Sequence, residues 1–405
     1  MARTKTTRSP QINSQAIAQG LSNWAGNVFR AQSREFYQLL GVVLFLSAFG
    51  VLMVLSSSFV DALKSNNNAF SIFGKQAFSA ILGFLGLAFI STLPSSAVRR
   101  LLGPFSITVL ITQLLVVFTP LGTEINGNKN WINILGFTVQ PSEFLKICLV
   151  IILAQFLSSR QNEFDDPRRV WWPAIVVGGA IAATVLLGKD VGTVIVMAII
   201  TIAMLIAAGM PRPIISAVSV IAVLAVPAIM ISSPSRLGRV MAWLNPTAPD
   251  PNDFNWQSTH GVWAFAAGGF TGVGLGQSKL KWSWIPEAEN DFIFAIIGEE
   301  MGLLGSILVI AVFFALALIL IRIAMRTHDL YSRLVVLGVM FWIVMQAVIN
   351  LAVVLTLLPV LGVPLPLISA GGSSMVANLM ALGLVFGIER ENHRLGPVAP
   401  RKRRR

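Results

Sequence analysis

Apolar residues run along this chain in long blocks, without the strict alternation a half-buried strand would show. Ten blocks are candidates to cross a bilayer, at about 37–58, 76–93, 101–120, 141–159, 171–187, 191–208, 213–231, 292–322, 331–357 and 373–389. A spanning helix needs roughly 20 predominantly apolar residues. Within hydrocarbon every segment must satisfy its own backbone, so helix is the expected element; barrel strands would be short and alternating. The pattern predicts an all-α polytopic membrane protein with about ten transmembrane helices. One connection, about 232–291, is far longer than the rest. It opens with turn-rich NPTAPDPNDFNWQ (245–257) and continues as GVWAFAAGGF (261–270), which is apolar but too short to cross. A re-entrant or partly buried helix is expected there. A second irregular connection, LLPVLGVPLPLISAGGSS (357–374), carries three helix-breaking prolines and a Gly371–Gly372 pair.

Composition agrees: 55% of the 405 residues are hydrophobic and 12% are charged. The net charge of +12 would suit a nucleic-acid binder, but the placement of the basic residues argues otherwise. With both termini cytoplasmic, most of the 30 Lys and Arg fall in inner segments, as the positive-inside bias requires. No nucleic-acid partner is expected. The organisation is then a basic cytoplasmic tail (1–36), a membrane domain (37–390) whose long extracytoplasmic loop joins helices 7 and 8, and a basic cytoplasmic tail (391–405). In the first tail, residues 1–12 read as polar and disordered. Residues 13–35 place Ile17, Leu21, Trp24 and Val28 at helical spacing, which reads as either an amphipathic helix on the inner leaflet or a plain tether. The last tail ends RKRRR. The one cysteine, Cys148, lies in the fourth span and reads as an inert core residue. His260, His328 and His393 are scattered, without zinc-ligand spacing.

Candidate chemistry concentrates in GVGLGQSKLKWSWIPEAENDFIFAIIGEEMG (272–302), which holds Glu287, Glu289, Asp291, Glu299 and Glu300, five of the chain's 18 acidic residues. Ionisable groups placed this way in a membrane protein usually mark chemistry or transport. Asp291 stands where the polar passage meets FIFAII. It is either a helix cap or a carboxylate whose charged form is disfavoured, suiting it to accept a proton from a hydroxyl. Lys279, Lys281, Arg236 and Arg239 lie outside against the charge bias. They are either a solvated loop face or a site for an anion. Glu143 and Lys146 share one helix face in the fourth span, as structural glue or as part of a polar cavity. Asp190, beside Lys189, lies between spans five and six.

Several separated motifs together resemble the SEDS family of bacterial shape, elongation, division and sporulation proteins. NGNKNWI (126–132) is similar to the family's tryptophan-bearing loop, with Trp131 matching. QPSEFLK (140–146) matches its glutamate and lysine positions. KDVGT (189–193) resembles its proline-aspartate-leucine-glycine-threonine turn. The 272–294 passage matches its glycine-rich loop leading into an aspartate-phenylalanine motif. Asn350 and GVPLPLISAGGSS (362–374) match its most recognisable signature. The chain departs from the pattern at Asn130, usually arginine; at Lys189, usually proline; and at Glu289–Asn290, usually histidine-threonine.

The resemblance implies a peptidoglycan glycosyltransferase that polymerises lipid II, releases a polyprenyl diphosphate and acts with a class B penicillin-binding protein and other divisome membrane proteins. Asp291 maps onto the catalytic aspartate. Expected substrate contacts are Trp131, Lys129, Lys279, Lys281, Glu287, Arg239, Ser373 and Ser374, with Lys281 and Lys279 or Arg239 on the diphosphate. Expected supporting polar residues are Glu143, Lys146, Asp190, Glu300 and Asn350. The diphosphate chemistry would suit a divalent cation, Mg or Mn, with no organic cofactor. The basic tails favour a division-type member, at the septum, over an elongation-type one. A lipid II flippase and a non-catalytic scaffold are the competing readings.

Overall fold

The computed structural model describes residues 32–396, apart from 67, 126, 135, 232, 247–252 and 283. The tail expectations over 1–31 and 397–405, including the RKRRR end and most of the amphipathic stretch, fall outside the described residues, as does the middle of 245–257.

Every predicted span coincides with a helix. In chain order these are α1 (Arg34–Asn66), α2 (Ser71–Thr92), α3 (Ser95–Phe118), α4 (Pro141–Ser159), α5 (Trp171–Leu186), α6 (Val191–Ala208) and α7 (Arg212–Ile231). The long connection then carries α8 (Pro234–Leu244) and α9 (Trp256–Gly268), and α10 (Ile293–Arg326), α11 (Leu330–Val354) and α12 (Gly372–Leu395) complete the bundle. Among the described residues, eight of these are long and apolar enough to cross a membrane; α5 and α7 are shorter apolar helices at the remaining two predicted spans. The apolar stretch at 261–270 corresponds to α9, which begins five residues earlier.

α4 and α11 form the buried centre. Pro141 starts α4, where its missing N–H is harmless. The centre is polar in one place. Lys146 Nζ donates to Glu143 at 2.7 Å and to Gln346 Oε1 at 3.0 Å, and it lies 4.8 Å from the centre of the Trp342 ring. Gln346 Nε2 in turn donates to Pro364 O, tying α4 and α11 to the proline-rich connection. The pair therefore acts as glue between helices, where an unpaired charge would be prohibitive. α2 and α12 approach closely through small residues: a Cβ on Gly383 would lie 2.9 Å from Leu87 Cα. Small residues let backbones meet where lipid offers no hydrophobic drive between helices.

At one end of the bundle the chain's first and last described helices meet. Arg326 pairs with Glu35, and Ser33 donates to Glu389 at 2.6 Å. The other end carries the long connection, the α5–α6 turn and the proline-rich segment.

Two features depart from a purely helical plan. Between α3 and α4 lies an antiparallel sheet, β1 (Gly122–Ile125), β2 (Asn128–Ile134) and β3 (Phe137–Val139), in the order β1-β2-β3. Its signal was the Asn126–Gly127 dipeptide, the strongest short hairpin signature, masked here by the brevity of the strands. The second is a break inside α10 at Gly302, with φ 66° and ψ −160°. That left-handed conformation favours glycine, and a Cβ there would lie 2.6 Å from Phe270 O. The glycine-rich loop docks onto the break. Val273 N and Gly274 N donate to Glu299 O and Glu300 O at 3.0 Å, and Leu303 N donates to Gly269 O at 3.0 Å. Broken helix at membrane depth is tolerated when other protein groups satisfy the freed backbone in this way.

Candidate active site

Asp291 sits one residue ahead of the N-cap of α10, at the loop-bearing end of the bundle. Three segments hold it there. Asn350 of α11 donates through Nδ2 to both Asp291 O and Val363 O, each at 2.8 Å. Ala370 N donates to Glu289 O at 2.8 Å. On the far side, Trp256 Nε1 donates to Trp284 O at 2.7 Å and Gln257 Nε2 to Pro286 O at 2.6 Å. The passage 284–291 is thus clamped between α9 and the proline-rich segment. The Asp291 carboxylate lies against Gly362: a Cβ there would be 3.6 Å from Oδ2.

The electrostatics favour a proton-accepting role near neutrality. Burial pushes the Asp291 carboxyl up to about 7; the negative charges of Glu287 and Asp190 add to this and Arg239 opposes it. Burial likewise raises Glu289 to about 7, with Glu287 and Asp61 contributing. A carboxylate at this value is a stronger base than an ordinary aspartate, yet half-ionised at neutral pH. The cap reading does not apply to Asp291, since the N-cap position belongs to Phe292 and has no side-chain cap.

Next to Asp291 lies a cavity of about 690 Å³, whose lining includes Glu124, Lys189, Asp190, Arg236, Arg239 and Leu361. Its floor is built by the α5–α6 turn. Asp190 caps α6 through Thr193 N at 3.0 Å and accepts from Gln140 Nε2 at 2.9 Å; its own carboxyl is raised, chiefly by burial. β2 is pinned to the same turn. The pairing of β1 with β2 shifts register between Thr123 and Glu124, leaving Asn130 without a strand partner. Such a bulge re-aims a side chain. Asn130, 0% exposed, accepts from Gln113 Nε2 at 2.7 Å and donates to Gly188 O at 2.9 Å, while Lys129 N donates to Gly188 O at 2.9 Å. Asn130 replaces the expected arginine as a buried tether. Lys129 and Trp131 flank it, half-buried, on the sheet.

The remaining expected residues divide. Glu287 belongs to the Asp291 neighbourhood and accepts from Asn290. Ser373 Oγ accepts from Gln140 N at 3.3 Å, and Ser374 is buried and accepts from Asn378. Lys281 does not reach the cavity. It is 5% exposed and pairs with Glu300 at 3.2 Å, donates to Gly276 O at 2.7 Å and touches Ser56 of α1. Glu299 accepts from Ser278 Oγ and from Lys279 N. This network fastens the glycine-rich loop to α10. Lys281 was expected either to meet the diphosphate or to lie on a solvated loop face; instead the glycine-rich loop, docked at the break in α10, buries it against Glu300. The Lys279 side chain is exposed. Trp256 and Gln257 enter the site without having been selected from sequence; Arg236 had been singled out there as an out-of-place cation, for a solvated loop face or an anion. Among the described residues no three His, Cys, Asp or Glu side chains come together as a metal site. Both Asp190 oxygens are already hydrogen-bonded.

The fold and site define a polytopic helical membrane protein with one polar, cation-lined cavity beside a basic carboxylate at a single end of its bundle. The family described as cell cycle protein (FtsW, RodA and SpoVE) matches residues 37–394, and the chain belongs to that family. It is 36% identical over 360 residues to the probable peptidoglycan glycosyltransferase FtsW of Trichlorobacter lovleyi, covering 89% of this chain and 94% of that one. A solved chain from a peptidoglycan synthase complex, in work on the coordination of polymerization and crosslinking, superposes with a TM-score of 0.73 at 25% identity, covering 90% of this chain and 100% of that one. The rod shape determining protein RodA of Thermus thermophilus shares the fold, with a TM-score of 0.66 at 23% identity, covering 90% and 99%.

Proposed function

We propose that this protein is a peptidoglycan glycosyltransferase that polymerises lipid II at the outer face of the cytoplasmic membrane, for septal wall synthesis during division. The observation that carries the reading is Asp291: a carboxylate raised to about 7, held by Asn350 and facing Gly362 at the edge of the large cavity. In the reaction the 4-hydroxyl of the acceptor sugar attacks the anomeric carbon of the donor. The hydroxyl proton passes to Asp291. The bond from the anomeric carbon to the diphosphate oxygen breaks, and its electron pair leaves with the polyprenyl diphosphate. One base and in-line attack suffice, without a covalent sugar intermediate. Fixed positive charge beside the departing oxygen stabilises the transition state.

The relatives named FtsW support the division role. The likeness to a synthase-complex chain supports a partnership with a class B penicillin-binding protein. The charge bias supports placing the Asp291 end outside, with both termini inside.

The test is Asp291→Asn, assayed for glycan formation from purified lipid II in detergent, where transport has no meaning. The wild type is expected to polymerise and the variant to fall to background. Full activity in the variant would remove Asp291 from the mechanism. A wild type that makes no glycan, yet moves lipid II across vesicles, would establish the flippase reading instead.

A further inference from the structure

We infer that Lys189, Arg236 and Arg239 form the diphosphate-binding site of this protein, taking a diphosphate that carries a lipid chain. The inference rests on the glycosyl-transfer reading and moves the diphosphate away from Lys279 and Lys281. The three cations come from two separate segments. Lys189 sits in the α5–α6 turn; Arg236 and Arg239 lie three apart on α8 and so share a face. All three line the same cavity. Arg236 Nη2 donates to the Lys189 carbonyl at 2.6 Å, fixing α8 against the turn.

Among the described residues none of the three makes an ion pair. Two carboxylates also line the cavity. Asp190 is occupied by Thr193 N and Gln140, and Glu124 stands exposed on β1 opposite Lys129. Three unpaired cations around one concavity repel each other and focus a positive potential into it, an arrangement that a bound anion relieves. Lys189 also holds φ 67°. Left-handed backbone is unfavourable for a residue with a Cβ, and its persistence beside a binding cavity points to use. Two guanidinium forks and one ammonium match two linked phosphates better than a single carboxylate. The cavity's apolar lining, Leu186, Val191 and Ile229, comes from the adjoining ends of α5, α6 and α7. A lipid chain on the diphosphate would leave along these helix ends into the bilayer. Arg239 acts electrostatically on Asp291, which sets the departing diphosphate beside the base. By contrast Lys281 is consumed by Glu300.

The experiment uses the full chain in detergent and two probes, inorganic pyrophosphate and a polyprenyl diphosphate, measured by calorimetric binding and as inhibitors of lipid II polymerisation. Wild type should bind both, the lipid-bearing probe more tightly. Lys189→Gln and Arg236→Gln should each weaken binding of both probes about tenfold, the loss expected for a charge-assisted contact, and raise the KM for lipid II more than they lower kcat. Lys189→Arg should restore most of the loss. Arg169→Gln, an exposed residue of the α4–α5 connection, controls for net charge. Equal binding of the two probes would remove the lipid exit and refute the lipid-bearing part. Unchanged binding and KM in both glutamine variants, with polymerisation intact, would overturn the inference while sparing the glycosyltransferase. A wild type that binds diphosphate but never polymerises would sink the enzyme reading and leave the binding site standing.

Discussion

Replacing Asp291 should disable the protein and make it more stable than wild type, by a margin that grows from about pH 4 and is complete above about pH 7. Burial raises this carboxyl from its ordinary 3.8 to about 7. A carboxyl whose folded value is raised binds its proton more tightly in the folded state. Stability is therefore unaffected by the shift below about pH 4, declines as pH rises from there to about 7, and levels off beyond. The full displacement corresponds to roughly 4 kcal/mol, at about 1.4 kcal/mol per tenfold change. Asp291 is half-buried, so solvent screening and local relaxation reduce the observable part to about 1–2 kcal/mol. Asn has the shape of the protonated acid and no charge to desolvate. Thermal unfolding in detergent should find Asp291→Asn more stable than wild type at pH 8 and equal to it at about pH 3. Activity of the wild type should rise through pH 7 as the base ionises. A variant equally stable at both pH values, or weaker than wild type at pH 8, would refute the account of the site as a carboxylate held under strain of desolvation.

Two further outcomes test the supports of the site. Lys281→Met leaves Glu300 buried without its partner and should lower stability by about 3–5 kcal/mol, measured by unfolding in detergent; a loss under 1 kcal/mol would show that the loop is not fastened by this pair. Asn130→Ala removes the bulged tether and strands Gln113 Nε2, at about 1–3 kcal/mol, while Gly188 O keeps its bond from Lys129 N. Because β2 then grips the α5–α6 turn through one bond fewer, the same variant should raise the KM for lipid II; an unchanged KM would separate the sheet from the cavity.

The spans were legible because hydrocarbon imposes one solution on a long apolar run, and each of the ten blocks became a helix. Asp291 was legible because a charge at the edge of such a run needs a reason. What stayed hidden depends on geometry rather than on order along the chain. Gly302 lies in an apolar block and gives no local sign that the helix breaks there. Without the break, nothing along the chain joined Lys281, expected on the substrate, to Glu300, expected as a supporting polar residue, in a buried pair. Lys189 and Arg236 are far apart in sequence and meet only because α8 folds back over the α5–α6 turn. Asn130 looked like a substitution away from a useful arginine; the bulge that turns it inward became visible only with the strand register.

The clasp between α2 and α12 has a consequence for how the protein is made. Gly383 leaves the ribosome nearly 300 residues after its neighbour Leu87. Until α12 is made, α2 must wait in the lipid with this seam uncovered, a contact of very long sequence separation that assembly completes late. Loss of α12 should therefore leave a nascent chain that inserts but never closes, the sort of orphan that membrane proteases remove.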